Sequence, residues 1–525
     1  MVRRLASLGC ALAWLASVPA WAQTGADSAE VAEVLTELDE AGSPATAREI
    51  AEFLKDAAPQ SQSGVLLGRT GWTGTDGLEH TARLRLDQGW LTLRGRWRQY
   101  RDGSVQIGGA GMFGPDRWQL AVGQLGLSQG FGLLAGGPGR GPSLTADGSL
   151  RARGDRMVLW TGAAEPQTIR GVGAALKLGL WQVRTLAGQR GDEPLADQQT
   201  VVTQVSAGNQ AWRLSGVVLV DPAEKGASLS GRLRRGAVDA SWEAVWRRPV
   251  GSPVPLGGLL VQGGWRPHRV ARLEVLAGWA AAGPRPVLGQ KHPVLGAWGG
   301  RGAAVRGTWR ADSGLGVKLM IHRGHGREPV LAGDRRLRTL ADAQLTQNWA
   351  GGWSAAARWR QGGEEVTAWS ERFPWQPPAL AWQDSRRVVS LKGQWSHERS
   401  RAQVLWRQLD LARVRQDSGW QSGGARSLVT FSGAVSLGQS ALLRAAWTVS
   451  WGDPVDLVSA VVPFAGYVLP RHWGHWRAER LVGLQWSGGG LQLRSALSWR
   501  QAEPQLLEDP VKDAWAAWLE IAWVW

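Results

Sequence analysis

Arginines recur at every second position within the stretch LTLRGRWRQY, residues 91–100. Neighbouring side chains of a β-strand point to opposite faces, so Arg94, Arg96 and Arg98 would share one face. A second group, Arg232, Arg234 and Arg235, lies in a similar stretch. Guanidinium groups bind anionic groups through several hydrogen bonds at once. These two groups of arginines are therefore the first candidates for binding an anion.

A short hydrolase-like motif occurs at GLSQG, residues 126–130. Its G-x-S-x-G spacing is that of a nucleophile elbow, in which the serine sits on a turn from a strand into a helix. The residues that follow, FGLLAGGPGRGPSL, show no helical period. We therefore expect Ser128 not to be catalytic, and the sequence predicts neither an enzyme nor a bound cofactor.

Two histidine pairs and one glycine-rich stretch are also candidates for ligand binding. HRGHG (322–326) and HWGHW (472–476) each hold two histidines three residues apart. This spacing suits a metal site on a helix but separates the side chains on a strand, and both stretches are predicted to be loops. GGPGRG (136–141) could hold a phosphate only if a helix followed it, and none is predicted. We expect no metal site, and a flexible segment at 136–141.

The composition argues against a soluble multidomain protein. The 525 residues include 71 Gly and 34 Trp but only 6 Phe and 2 Tyr. The formal net charge is +16, and the basic residues, nearly all arginine, are spread along the whole chain. No discrete basic patch is visible, so a nucleic-acid partner is not expected. After residue 22 no run of 18 apolar residues occurs, which argues against a spanning helix.

Residues 1–22, MVRRLASLGCALAWLASVPAWA, have the organisation of a secretory signal peptide. Arg3 and Arg4 precede a short apolar run, and the small-x-small sequence that ends at Ala22 is a cleavage site. An uncleaved membrane helix is the alternative, but the apolar run is short for one. Cleavage after Ala22 would remove Cys10, the only cysteine. We therefore expect an exported mature chain without disulfides or thiolate metal sites.

Residues 27–58 differ from the rest of the chain and predict two short amphipathic helices. Gly42 would end the first helix, and Ser43-Pro44 would begin the second. A polar linker, QSQSG, follows at residues 60–64. We expect residues 23–63 to form a periplasmic helical hairpin with its linker, which could dock a periplasmic protein.

From residue 64 to residue 525 the hydrophobic pattern has a period of two, which is typical of β-strands. In LLRAAWTVSW (442–451), for example, one face is Leu, Ala, Trp, Val and Trp. Turn signals such as ADSG (311–314) and SGGG (487–490) separate these stretches. No helical period of useful length interrupts them, so this region is predicted to be all-β.

The chain ends in WAAWLEIAWVW, residues 515–525. Its odd positions are wholly apolar, whereas the other face carries the carboxylate of Glu520. A final aromatic residue is similar to the terminal signal by which outer-membrane barrels are recognised for insertion. The residues of this predicted insertion signal, which would face lipid, are Trp515, Leu519, Ile521, Trp523 and Trp525.

Two architectures are compatible with many alternating strands: a soluble sandwich or propeller, and a large antiparallel transmembrane β-barrel with apolar residues outside and polar residues inside. The export signal, the terminal strand and the use of tryptophan near strand ends favour the barrel. At roughly 10 spanning residues per strand and a similar length of connection, residues 64–525 give about 22 to 24 strands. Longer connections, external or folded into the lumen, are expected at 128–148, 281–301, 323–335, 361–384 and 452–476.

In such a barrel Arg94, Arg96, Arg98, Arg232 and Arg234 would line the lumen, where arginines favour anions. Two alternatives remain open: the arginines pair with Asp and Glu across the interior, or they contact lipopolysaccharide phosphates at the outer rim. The expected partners are outer-membrane lipid and lipopolysaccharide, and the barrel-assembly machinery during insertion.

The stretches WQLAVGQLGLSQGFGLLAGG (118–137) and TIRGVGAALKLGLWQVRTLAGQR (168–190) resemble a family of bacterial outer-membrane barrels. Its members pair an N-terminal helical region, often with helix-hairpin-helix repeats, with a long C-terminal barrel. Arg170-Gly171 matches the family's Arg-Gly pair, whereas Ser128-Gln129-Gly130 departs from its Gly-Gln-Gly-type turn. No hairpin repeat follows residues 27–58. The resemblance therefore implies the barrel but neither a DNA-related role nor a defined activity.

The sequence as a whole predicts a Gram-negative outer-membrane barrel, a porin-like passive channel or transport component with an arginine-rich lumen. The alternative is a closed barrel that serves as a structural or assembly platform for periplasmic partners through residues 27–58. An outer-membrane hydrolase is the weakest hypothesis. A TonB-dependent receptor is disfavoured, because residues 23–63 are too few for a plug domain of that class.

Overall fold

The computed structural model describes most of the predicted barrel region. The signal peptide, the helical hairpin at 27–58, the GGPGRG stretch and Trp525 lie outside the described residues. Those residues are 63–73, 77–100, 103–115, 117–135, 155–160, 168–190, 199–281, 295, 300–327, 335–368, 379–397, 400–415, 420–438, 440–453, 458–464, 467–472, 476–502 and 514–524.

Alternating apolar and polar residues form the strands, and glycine-rich turns end many of them. Their bounds are β1 (Ser63–Thr73), β2 (Gly77–Gln88), β3 (Leu91–Gln99), β4 (Val105–Phe113), β5 (Trp118–Ser128), β6 (Arg156–Leu159), β7 (Thr168–Leu178), β8 (Trp181–Arg190), β9 (Thr200–Gly208), β10 (Trp212–Asp221), β11 (Glu224–Arg235), β12 (Val238–Pro249), β13 (Leu256–His268), β14 (Ala271–Ala280), β15 (Arg301–Arg310), β16 (Leu315–Arg327), β17 (Arg335–Asn348), β18 (Trp353–Ala368), β19 (Ala379–His397), β20 (Ser400–Arg415), β21 (Trp420–Leu437), β22 (Ala441–Gly452), β23 (Val458–Phe464), β24 (Tyr467–His472), β25 (Trp476–Gly488), β26 (Leu491–Ala502) and β27 (Ala514–Val524).

Twenty-four of these strands form one closed antiparallel barrel. Each barrel strand pairs with the next along the chain, passing from β5 to β7 and from β22 to β25, and β27 pairs with β1 to close the sheet. The short β6 pairs only with the end of β5, and β23 pairs with β24 in a separate hairpin. The all-β barrel is confirmed, and its 24 strands lie within the predicted range. Each barrel strand therefore has a neighbour on both sides, although β4 pairs with β5 only through residues 110–113.

The barrel is large, and both ends of its sheet lie at one rim. Twenty-four strands spaced about 4.8 Å apart and tilted by about 40° give a backbone radius of about 24 Å. The two-residue turns 89–90, 179–180 and 489–490 lie at the rim where β1 begins and β27 ends. We call this the terminal rim and the opposite one the distal rim. In the part of the chain that the structure describes, no helix is long and apolar enough to cross a membrane.

Around the whole barrel, the strand register pairs inward-facing residues with inward-facing residues and outward-facing residues with outward-facing residues. On β27, Glu520 and Trp518 are 0% and 5% exposed, whereas Trp523 and Ile521 are 56% and 45% exposed. The first pair belongs to the inner face and the second to the outer face. Most exposed tryptophans of the outer face lie near the two rims, as expected for aromatic girdles at membrane interfaces. They are Trp90, Trp118, Trp181, Trp212, Trp265, Trp309, Trp349, Trp353, Trp486 and Trp523 at the terminal rim, and Trp246, Trp279, Trp451 and Trp515 towards the distal rim. Trp359 and Trp447 lie nearer the middle of their strands.

Two of the predicted long connections are shorter than expected, so those predictions were partly wrong. β16 continues to Arg327, and the strands on either side of the 361–384 region occupy all but residues 369–378. The HRGHG stretch is therefore in a strand and not in a loop. The prediction was wrong because glycine and polar residues on the inner face interrupt the hydrophobic pattern. Their backbones nevertheless pair with the neighbouring strands. The connection expected at 452–476 also contains the β23–β24 hairpin.

Candidate functional site

The distal end of β5 leaves the barrel wall and turns into the lumen. β4 pairs with β5 only as far as Gly123, and residues 125–128 pair with β6 instead. Gly123 has a φ of +114°, and a Cβ atom there would lie 2.3 Å from the carbonyl oxygen of Gly109. Only glycine fits such a position, so Gly123 permits the departure from the wall. Every residue from 124 to 135 is buried. We call residues 128–135 the inward segment.

A single carboxylate on the inner face of β12, that of Glu243, anchors the inward segment. Four consecutive backbone N–H groups donate hydrogen bonds to it: Phe131 (2.6 Å) and Gly132 (3.0 Å) to Oε2, and Leu133 (3.1 Å) and Leu134 (3.4 Å) to Oε1. Glu243 is 0% exposed. Burying a carboxylate is costly in free energy unless hydrogen-bond donors surround it, and the four backbone N–H groups are those donors.

Gln129 ties the inward segment to two further strands. Its Nε2 donates to the carbonyl oxygen of Ser215 on β10 (2.7 Å), and the hydroxyl of Ser228 on β11 donates to its Oε1. From β9, Nε2 of Gln204 donates to the carbonyl oxygen of Ser128 (3.3 Å). The segment is thus hydrogen-bonded to four consecutive strands, β9 to β12.

The inner wall around the inward segment also has an apolar part. Phe131, Leu133 and Leu134 are at most 3% exposed and belong to one buried cluster with residues of the wall. Leu134 lies so close to β11 that a Cβ atom at Gly226 would be 2.9 Å from its Cδ1. The inner-face members of the cluster from β8 to β16 are Leu186, Val202, Val217, Leu219, Val245, Leu260, Leu276, Ala304 and Met320. Leu295, from the connection between β14 and β15, is also buried there.

A polar group lies beside this cluster. Asp155, which precedes β6, accepts a hydrogen bond from Nε of Arg213 on β10 at 2.8 Å. Arg213 and Arg184 both donate to the side-chain oxygen of Gln182, at 3.1 and 2.6 Å. Burial raises the pKa of Asp155, although Arg213 and Arg184 oppose the shift by electrostatic attraction. This group fixes the start of β6 against the wall.

The inner face of β2 and β3 is different. Arg83, Arg85, Arg94, Arg96 and Arg98 lie on it, and the register sets Arg83 directly opposite Arg96 and Arg85 directly opposite Arg94. Among the side chains that the structure describes on these two strands, the same face holds one carboxylate, Asp87, which bonds to Nε of Arg85 at 2.6 Å. Like charges placed directly opposite each other repel. We call these five residues the arginine wall.

The remaining predicted arginines lie on the inner face at another part of the barrel. Arg232 and Arg234 on β11 are exposed. The register sets Arg232 opposite Arg213 on β10 and Arg234 opposite Asp239 on β12. The fold therefore does not bring them together with Arg94, Arg96 and Arg98. The last strand places Trp515, Leu519, Ile521 and Trp523 on its outer face, each between 44% and 56% exposed.

The described residues do not place the hydrolase-like motif at a turn from a strand into a helix. Ser128 ends β5, is 3% exposed, and donates a weak hydrogen bond to the carbonyl oxygen of Arg156 at 3.4 Å. The inward segment, not a helix, follows it. On β16, His322 faces inward and is 2% exposed, whereas His325 faces outward. Within the described residues no group of three or more His, Cys, Asp or Glu could hold a metal ion.

Sequence reasoning missed the anchor of the inward segment. Glu243 lies 112 residues after Phe131, and it looks like any other polar residue on the inner face of a strand. A signal was nevertheless present in the near-continuous apolar stretches GVVLV (216–220) and GGLLV (257–261), which suggest apolar surroundings on both faces.

The closed antiparallel sheet, its even strand number and its apolar outer surface with aromatic girdles define a β-barrel of the outer-membrane type. No protein-family model matches the chain, and no curated protein matches it either.

Comparison with solved structures finds large outer-membrane barrels. The siderophore receptor PirA from Pseudomonas aeruginosa superposes with a TM-score of 0.46 at 9% identity, covering 89% of this chain and 81% of that one. The translocation pore of the P pilus usher PapC gives 0.43 at 9% identity, covering 88% and 99%. The FrpB iron transporter from Neisseria meningitidis gives 0.45 at 8% identity, covering 90% and 83%. At these scores the likeness says nothing about the activity of this protein.

Proposed function

We propose that this protein is an outer-membrane channel for anionic solutes. The inward segment narrows the lumen on the side of β9 to β12, and the arginine wall lines the passage on the side of β2 and β3. This proposal extends the prediction that Arg94, Arg96 and Arg98 line the lumen, with Arg232 and Arg234 as further cationic positions.

The observation that supports this function most strongly is the charge of the arginine wall. The register places five guanidinium groups on the inner face of two neighbouring strands, and in a low-dielectric barrel such a concentration of positive charge attracts anions. An anion between two directly opposed arginines would relieve the repulsion between them.

Arginines elsewhere on the inner face have carboxylate partners. Arg306 and Arg272 both bond to Glu274, Arg358 bonds to Asp342 with an Nε–Oδ1 distance of 3.0 Å, and Arg494 bonds to Glu520. Those pairs fit the alternative that interior arginines serve to neutralise acids. The arginine wall differs from these pairs in its register, which sets two of its arginines directly opposite two others.

The test is conductance of the full chain in a planar lipid bilayer with a KCl gradient across it. We expect steady openings and a reversal potential that shows chloride preference. The variant Arg94→Gln/Arg96→Gln/Arg98→Gln should reduce the chloride-to-potassium permeability ratio several-fold. Arg235→Gln is the matched control, because this arginine lies on the outer face of β11, and it should leave the ratio unchanged.

Two results would contradict the proposal. A correctly inserted barrel that never conducts would favour the closed platform, whose binding of periplasmic proteins should disappear when residues 27–58 are deleted. A chloride preference that persists in the triple variant would remove the arginine wall from the selectivity mechanism.

A further inference from the structure

The outer face of β11 to β16 carries a one-sided distribution of charge. On these six strands every charged residue with a described outward side chain is a cation: Lys225, Arg235, Arg248, Arg301 and Arg323, with His325 as a titratable neighbour. The described outer-face positions of these strands hold no carboxylate. The inner face of the same strands holds Glu224, Asp239, Glu243 and Glu274. The described acids of these strands therefore all lie on the inner face, where arginines such as Arg247, Arg272 and Arg306 pair with them, whereas the outer face carries cations alone.

The cations are also separated along the barrel axis. Lys225 and Arg248 lie near the distal rim, beyond Trp246 of the outer face, and Arg301 and Arg323 lie near the distal ends of β15 and β16. At the terminal rim the outer face of the same six strands has Leu233, Val238, Trp265 and Trp309, and Arg235 is the one charged outward side chain described on the strands there. Arg269 lies in the turn between β13 and β14. An arginine on the lipid face costs several kcal/mol at the bilayer centre but almost nothing near an interface. The position of these cations therefore fits a head-group layer at the distal rim.

The register places the cations side by side. Lys225 lies directly opposite Arg248 on the neighbouring strand, and Arg301 lies directly opposite His325. Directly opposed residues on one face have Cβ atoms about 5 Å apart, so the like charges of Lys225 and Arg248 repel unless an anion lies between them. One phosphate group can accept hydrogen bonds from both members of such a pair.

We propose that the distal outer rim of β11 to β16 is a binding site for phosphorylated lipid head groups of the surrounding membrane. Lys225 and Arg248 form one phosphate position, and Arg301, Arg323 and His325 form a second position three strands away. The acyl chains of the bound lipid lie along the apolar outer surface below, against Trp246, Trp279 and Ile321, which are exposed there. The site requires that the barrel spans a membrane, as in the proposed function, but not that it conducts.

The experiment uses the full chain in a neutral detergent and bisphosphorylated lipid A as the probe. Native mass spectrometry counts the lipid A molecules retained at increasing lipid concentration. Each basic residue at an anionic lipid surface contributes about a fivefold factor in affinity, so Lys225→Gln/Arg248→Gln should weaken the affected position by roughly 30-fold. Arg235→Gln removes one cation from the same outer face at the opposite rim and should not weaken it.

A second probe separates phosphate recognition from apolar adhesion. Dephosphorylated lipid A keeps the acyl chains and should bind the unaltered protein no better than it binds the Lys225→Gln/Arg248→Gln variant. The proposal is overturned if both forms of lipid A bind equally well, or if Arg235→Gln weakens binding as much as the distal substitutions do. Because the assay is done in detergent, its result does not depend on conductance, and the two proposals can fail separately.

Discussion

The inner wall at β9–β12 and the inner wall at β2–β3 handle charge in opposite ways. At β12, Glu243 is fully buried and accepts four backbone hydrogen bonds from the inward segment. At β2–β3, five arginines lie on the inner face and the register sets two pairs of them directly opposite each other. The two regions belong to one sheet and follow one alternation of faces. What differs is whether another part of the chain covers the wall.

Covering a polar wall changes what its residues do for stability. A buried carboxylate must be satisfied by donors, so Glu243 and the inward segment depend on each other. The arginine wall has partial exposure, so water can screen its repulsion and an anion can relieve it. We therefore expect stability to depend on β9–β12, and ion selectivity to depend on β2–β3.

The largest effect is expected for Glu243→Ala. The inward segment loses the acceptor for its four backbone N–H groups, which we expect to cost about 3–5 kcal/mol. Two measurements check this expectation. The urea midpoint of the protein in detergent micelles should fall, and the single-channel conductance should rise because the inward segment is released. Glu243→Gln keeps one acceptor oxygen and should show a smaller change of the same sign. Unchanged midpoint and conductance in both variants would show that the carboxylate does not anchor the segment.

Removing an apolar contact of the inward segment should also be costly. Leu133 is 0% exposed, so Leu133→Ala should destabilise the protein by about 2–4 kcal/mol through lost burial and a new cavity. Leu491→Ala is the control, because Leu491 lies on the outer face and is 41% exposed. If the two alanine variants lower the urea midpoint equally, stability does not depend more on the inward segment than on the outer face of the barrel.

Gly130→Ala tests the fit of the inward segment against its anchor. Gly130 has a φ of +50°, and an added Cβ would lie 2.7 Å from Oε2 of Glu243. Backbone strain together with this contact should cost about 2–3 kcal/mol. Gly89→Ala has a similar φ of +55° but nothing within 4 Å of the added Cβ. It should cost only about 1 kcal/mol, so the difference between the urea midpoints isolates the contact with Glu243.

The smallest effect on stability is expected in the arginine wall. Arg94→Gln removes one member of a like-charged pair, so the free energy of unfolding should stay the same or rise by up to about 1 kcal/mol. Arg358→Gln, by contrast, leaves the buried carboxylate of Asp342 without its guanidinium partner and should destabilise the barrel by about 2 kcal/mol. Equal destabilisation by both substitutions would show that the arginine wall has a structural role.

The sequence predicted the all-β barrel and its strand number because period-two hydrophobicity is a local property that survives in every strand. It was less reliable where the inner face is rich in glycine or histidine. The HRGHG stretch was assigned to a loop, although its backbone pairs on both sides within β16. Hydrophobic alternation does not identify a strand when its inward residues face a polar lumen and its outward residues lie near the rim, because polar residues can then occupy both faces.

Less of the candidate site could be predicted. Parity in the sequence places Arg94, Arg96 and Arg98 on one face, but only the register of the structure shows that Arg83 and Arg85 lie opposite two of them. The connection that begins at residue 128 was expected to be external or folded into the lumen, and its described part is folded inward. Its anchor on Glu243 could not be read from the chain, because the interacting atoms are more than 100 residues apart.

By itself the sequence determined the strands, their approximate number and the two kinds of face. All three depend on side chains only a few residues apart and on chain length. Only the tertiary structure decided which inner residues meet a second part of the chain and which remain uncovered. That outcome depends on closure of the sheet and on a register summed over many strands. Gly123 and Glu243 are examples. Gly123 allows the chain to leave the wall, and Glu243 on β12 accepts the hydrogen bonds that hold the inward segment in the lumen.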